Sequence, residues 1–271
     1  MSISINYHRE GEGPPLLLLH GVGHHWQAWR PVIDILSGEF DVIACDTPGF
    51  GRSAPLPAGI EPTIDAYVDA FEWFFAELGI QRPLVAGNSM GGAIALELAR
   101  RRAIGSAVAF SPAGFWSPAE LRMCQLSLGL LGGVPAAARP AVEALTRTTA
   151  GRIALFSQTF GYPSRLPVEE ALATLHDAWA SPALTRTLAA FSEYAFLSPE
   201  ALRATPVTIA WGDRDRLLPY RTQAARARDL LPWATHVTLG AGHVPFYDDP
   251  AACAQVIRAH AARAPRVAAR H

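Results

Sequence analysis

Apolar positions along the chain fall into short unbroken runs and longer stripes, and the two alternate. Phe40 to Cys45 ends in turn formers and predicts a buried strand, and Ser106 to Phe110, Pro206 to Trp211 and Thr235 to Leu239, each followed by turn formers, predict further strands. Ser2 to His8 alternates polar and apolar, and Gly11-Glu12-Gly13 turns it into Pro14 to Leu19, which predicts an opening hairpin. Between the runs lie stripes at helical spacing. Trp29, Val32, Ile33 and Leu36 mark a helix from about Trp26 to Leu36, and Ile64, Tyr67, Val68, Phe71, Phe74, Phe75 and Leu78 mark a longer one capped by Thr63 and stopped by Gly79. Pro83 to Leu98 reads as strand, glycine-rich turn and helix, with the helix over Ala93 to Arg100. Further helices are predicted from about Tyr220 to Leu231 and from Pro250 to about Ala262. Strands alternating with helices at short spacing imply an α/β fold, with a mostly parallel central sheet covered on both faces.

From about 113 to 204 the alternation stops. Helical segments there are broken by seven prolines between Pro118 and Pro199, and no strand is evident, so this stretch reads as a helical cap inserted into one domain spanning 1–264; residues 265–271 read as a frayed, arginine-rich tail. Phe115, Trp116, Phe156, Phe160, Trp179, Phe191 and Phe196 lie in or beside the cap. They are candidates to line an apolar pocket, though each one alone is accounted for by packing of cap on core.

The chain has 271 residues, half of them hydrophobic, and a net charge of −1. That composition supports a substantial core and offers no basic field for nucleic acid, so a small-molecule substrate is the expected partner. Three scattered cysteines, Cys45, Cys124 and Cys253, make no disulfide framework and suggest a reducing compartment. The start MSISINYHRE lacks the basic and apolar regions of a signal peptide, and no early apolar run is long enough for a bilayer, so a cytoplasmic protein without membrane association is expected. Nothing in the sequence indicates an oligomeric state.

The chemistry gathers around Gly87-Asn88-Ser89-Met90-Gly91. Glycines on both sides of the serine suit a tight strand-to-helix elbow that pushes a hydroxyl out of the sheet, next to the positive end of the following helix. The plainer alternative is a βα turn whose serine only caps the helix. A nucleophilic serine needs a base, and the base needs a carboxylate to orient it. Asp215, after the strand ending at Trp211, and His243, after the strand ending at Leu239, fall at the same sheet edge as Ser89 and follow it in the order Ser, Asp, His.

With these residues in hand, the chain resembles the α/β-hydrolase superfamily through HGVG at 20–23, DTPGFGRS at 46–53, GNSMGG at 87–92, WGDRDRLLP at 211–219 and GAGHVPFYDDP at 240–250. The resemblance implies an α/β-hydrolase fold with Ser89 as nucleophile, His243 as general base and then acid, and Asp215 as the orienting carboxylate, with Asp213 its rival. It implies an oxyanion hole from the backbone N–H groups of Val22 and Met90, and no cofactor or metal. The expected reaction is hydrolysis of a carboxylic ester of a neutral, largely hydrophobic small molecule. GNSMGG also resembles carbon-carbon hydrolases of the meta-cleavage type, but those resemble one another in a tryptophan after the catalytic histidine, where this chain has Val244. Dehalogenases and epoxide hydrolases carry aspartate where this chain has Ser89, and a binding protein on the same fold is the non-enzymatic alternative. His20, His24 and His25 have no cysteine or carboxylate at ligand spacing, and Asp46, His8, His176, His236, His260 and His271 read as structural or surface residues.

Overall fold

The computed structural model describes residues 3–263, so the expected tail at 265–271 lies outside the described residues. The first half of the chain lays down β1 (Tyr7–Glu10), β2 (Pro15–Leu19), α1 (Arg30–Leu36), β3 (Asp41–Cys45), α2 (Ile64–Glu77), β4 (Leu84–Asn88), α3 (Met90–Arg100) and β5 (Ser106–Phe110). An insert of helices follows: α4 (Pro118–Gly132), α5 (Arg139–Thr146), α6 (Thr149–Phe156), α7 (Val168–Ala180) and α8 (Leu184–Ala190). The chain then returns to β6 (Val207–Gly212), α9 (Ala225–Leu230), β7 (Thr235–Leu239) and α10 (Pro250–Arg263). No helix among the described residues is long and apolar enough to cross a membrane.

The seven strands form one sheet in the order β1-β3-β2-β4-β5-β6-β7, with β1 antiparallel and the others parallel. This is the α/β-hydrolase fold with a helical insert between β5 and β6. Runs such as Leu16 to Leu19 and Ala107 to Phe110 are buried on both faces, as parallel strands sandwiched by helices require. The expected hairpin does not form. Its first strand pairs with β3, because β2 is apolar on both faces and takes an interior place between β3 and β4, while the half-polar β1 suits the edge. Helix α3 also begins earlier than its apolar stripe suggests, at the residue directly after Ser89. The helix expected from Tyr220 opens with a π-helical turn over Tyr220–Ala224 before α9.

The sheet reverses its winding between β2 and β4, which lie side by side with Leu19 opposite Gly87. Ligands of open parallel sheets bind at such a switch point, beyond the carboxyl ends of the strands. The loops after β2, β4, β6 and β7 all open on that edge, and the insert packs over it.

Candidate active site

Ser89 sits between β4 and α3 with φ 55° and ψ −114°, a conformation that non-glycine residues rarely adopt. Its neighbours make the turn affordable. A Cβ on Gly87 would strike the backbone of Gly91, and one on Gly91 would strike Leu19 and His20, so only glycine lets strand, helix and the loop after β2 converge. The plain capping role is not used, since the Ser89 side chain makes no capping bond to α3. Asn88 anchors the turn from behind, its Nδ2 donating to the carbonyls of Phe110 at 3.1 Å and His243 at 2.9 Å.

Asp215 and His243 meet across the β6 and β7 loops. His243 Nδ1 lies 2.8 Å from Asp215 Oδ2, and the two side chains are 3% and 0% exposed. The other oxygen, Asp215 Oδ1, accepts from the backbone N–H groups of Leu217 at 3.0 Å and Leu218 at 2.8 Å. A carboxylate held this way accepts the Nδ1 proton of the imidazole and leaves the Nε2 lone pair for another proton. Asp213, the rival, is exposed. Ser89 and His243 line one cavity but share no hydrogen bond, and such contacts in unliganded sites commonly close only around substrate.

The loop after β2 runs beside the elbow, and a Cβ on Gly21 would stand 3.2 Å from that of Ser89. His20 fixes this loop. Its Nε2 accepts from Thr47 N–H at 2.9 Å, which makes Nδ1 the protonated nitrogen, donating to Gly21 O at 2.7 Å. Burial lowers the His20 pKa and keeps the ring neutral in that tautomer, despite nearby Asp46. The N–H of Val22 makes no hydrogen bond among the described residues, and that of Met90 opens α3, where helix N–H groups lack internal partners. Both are free to receive an anion at the serine.

Asp46 holds Trp26 N at 2.7 Å, Asn6 Nδ2 at 2.7 Å and Arg52 N at 2.9 Å, a structural role. Asp248 escaped the sequence reading. It accepts from Gly242 N at 2.8 Å, Gly161 N at 2.7 Å and Tyr162 N at 2.9 Å, tying the loop that carries His243 to the insert. The only sequence sign of it is a carboxylate five residues after His243, which says nothing about partners in a distant segment. His25 does the same for the loop after β2, forming ion pairs with Asp177 and Glu170 of α7. Among the described residues no group of three His, Cys, Asp or Glu side chains is placed to hold a metal ion.

The cavity is lined by the sheet-edge residues Gly21, Val22, Asn88, Ser89 and His243 and by apolar side chains of the insert, with no lysine or arginine among the described residues. Of the seven aromatic residues noted in or beside the insert, Phe156 alone reaches it. The others pack: Phe115 lies 5.3 Å from Phe196, and Trp116 lies 5.5 Å from Phe191.

A family model described as the alpha/beta hydrolase family matches residues 16–256. An uncharacterized protein of Mycobacterium tuberculosis is 30% identical over 255 residues, which cover 89% of this chain and 73% of the relative. Among solved structures, a membrane phospholipase A described as a bacterial virulence factor superposes with a TM-score of 0.76 at 28% identity, over 96% of this chain and 83% of the other. A meta-cleavage product hydrolase from Pseudomonas fluorescens superposes with a TM-score of 0.75 at 22% identity, over 96% and 94% of the two chains, a likeness of fold.

Proposed function

The chain belongs to the alpha/beta hydrolase family and is a hydrolase, and from that premise we propose that it cleaves carboxylic esters of small neutral molecules through an acyl-enzyme on Ser89. Ser89 Oγ attacks the ester carbonyl as His243 Nε2 takes its proton, and Asp215 steadies the imidazolium. The tetrahedral oxyanion rests on the N–H groups of Val22 and Met90. His243 then protonates the departing alcohol, activates water against the acyl-enzyme, and returns its proton to Ser89 as the acid leaves.

The observation that carries this reading is the carboxylate-pinned imidazole opening on one cavity with a serine at the head of a helix. The lining supports this substrate class, since its mostly apolar side chains, with no lysine or arginine among the described residues, give a charged substrate little to pair with. The same lack, with Val244 after His243, weighs against the dienoate acids that a meta-cleavage reaction would bring. The buried, unpaired cysteines support a reducing compartment, which we read as the cytoplasm.

Reaction with a fluorophosphonate probe followed by peptide mapping tests the assignment. Stoichiometric labelling of Ser89 is expected, lost in His243→Ala, together with a drop of about 10⁴ or more in ester turnover for Ser89→Ala. Ester turnover that survives Ser89→Ala would overturn the mechanism, and a vinylogous diketone acid turned over far faster than any ester would overturn the substrate class.

A further inference from the structure

One polar side chain of the cavity takes no part in this chemistry. His24 lies in the turn after β2, its backbone N–H donating to Gly21 O at 3.2 Å, and it lines the cavity together with Ser89 and His243. It is 8% exposed, and no hydrogen bond reaches either ring nitrogen among the described residues, with Nδ1 wholly shut off from solvent. The neighbouring polar groups are committed elsewhere. Asn88 Nδ2 serves two carbonyls, the Thr159 hydroxyl donates to Phe156 O at 3.2 Å, and the Thr174 hydroxyl donates to Glu170 O at 2.9 Å. Most of the remaining wall is apolar, including Leu128, Leu131, Ala178 and Leu217.

Buried polar groups are almost always hydrogen-bonded, so an imidazole left unpartnered on a cavity beside the nucleophile, with Nε2 less enclosed than Nδ1, is a candidate to bond a group that enters with the substrate. Its charge state is settled by its surroundings. Burial disfavours the cation, and His25, held as imidazolium by Asp177 and Glu170, stands 6.3 Å away between ring centroids, with His20 and His243 also near, so the His24 pKa lies well below its ordinary value. A neutral imidazole presents one N–H and one lone pair. That pairing matches a hydroxyl, which donates and accepts, or a carbonyl, which accepts, and gives no countercharge to a carboxylate.

We propose that His24 recognises a hydroxyl or carbonyl oxygen carried by the substrate near the scissile ester, so that the preferred substrates are small oxygen-substituted esters rather than plain alkyl esters. The proposal deepens the ester-hydrolase reading and rests on it for the reaction.

The test compares 4-nitrophenyl 3-hydroxybutyrate with 4-nitrophenyl butyrate in the full-length protein and in His24→Phe and His24→Gln, each checked for folding by thermal melting. The wild-type ratio of kcat/KM is expected to favour the hydroxy ester by about 10-fold or more, because a site built to hydrogen-bond a substituent rejects the analogue that lacks it. In His24→Phe the ratio collapses toward one; in His24→Gln, which keeps a donor and an acceptor, part of it returns. No wild-type preference, or both esters falling in step in both variants, would overturn the proposal and leave His24 a packing residue. So would a preference for the anionic 4-nitrophenyl hemisuccinate. Binding of the same two neutral esters to Ser89→Ala, measured by calorimetry, reads the preference without turnover. Should the wild type hydrolyse neither ester and Ser89 resist labelling, the hydrolase reading fails, and this binding still decides: tighter hydroxy-ester binding that His24→Phe abolishes supports the role, and equal binding refutes it.

Discussion

Asp213 and Asp215 offer the same carboxyl group from one loop, yet one is exposed while the other is buried against His243. The difference comes from the turn. Leu217 and Leu218 point their N–H groups at Asp215 Oδ1, which leaves Oδ2 facing Nδ1 of the histidine. Asp215→Asn is therefore expected to lower kcat by about 10⁴, since an amide does not hold the imidazole in the proton-accepting tautomer, whereas Asp213→Asn stays within about twofold. Comparable losses from both would show that the turn rather than the carboxylate matters. At this scale the serine, the histidine and the favoured aspartate were all legible in short local patterns. Asp248 and His24 were not, because their significance lies in which backbone groups and which empty space surround them.

His25 joins two elements, the loop after β2 and helix α7, pairing with Glu170, 145 positions along the chain, and with Asp177 beyond it. Burial opposes charge on this ring, but the carboxylates of Asp177 and Glu170 outweigh it, and the pKa rises from an ordinary 6.5 to about 9. The other ionisable groups near it, His20 and His24, are buried and neutral. Because the folded protein holds this proton more tightly than the unfolded chain, the latch contributes fully below about pH 6.5 and is lost as pH rises through 9, with an upper limit of about 3 kcal/mol. The melting-temperature gap between wild type and His25→Gln should thus narrow across pH 6.5 to 9; a flat gap would mean the pair is not charged. Element identity was largely readable, because apolar period separates buried strands from striped helices. Strand pairing was less so. The Gly11–Gly13 turn suggested a hairpin, and only the demand of β2 for partners on both edges sends β1 to β3.

At the scale of the molecule, the insert narrows the site to a cavity of about 40 Å³, room for a few waters. Outside it, between α4 and α8, lies a surface groove of about 360 Å³ lined by Gln125, Gly129, Gly132 and Leu188, and among the described residues Leu184 alone borders both spaces. Leu184→Ala should open the cavity toward that groove and raise the kcat/KM ratio of 4-nitrophenyl octanoate to acetate by about 10-fold, at a stability cost of about 2–5 kcal/mol. An unchanged ratio would place the access route elsewhere. The amino-acid sequence by itself determined the parallel sheet, the helical insert and the chain order of serine, aspartate and histidine, because each is written in neighbouring residues: apolar runs, glycines at a tight elbow, turn formers after strands. Only the tertiary structure decided that Asp215 faces His243, that most insert aromatics pack rather than line the site, that His25 clamps the insert, and that the His24 ring has no partner among the described residues. Those outcomes depend on which distant segments meet over the sheet edge and what space remains between them, a matter of packing that no local pattern of residue types encodes.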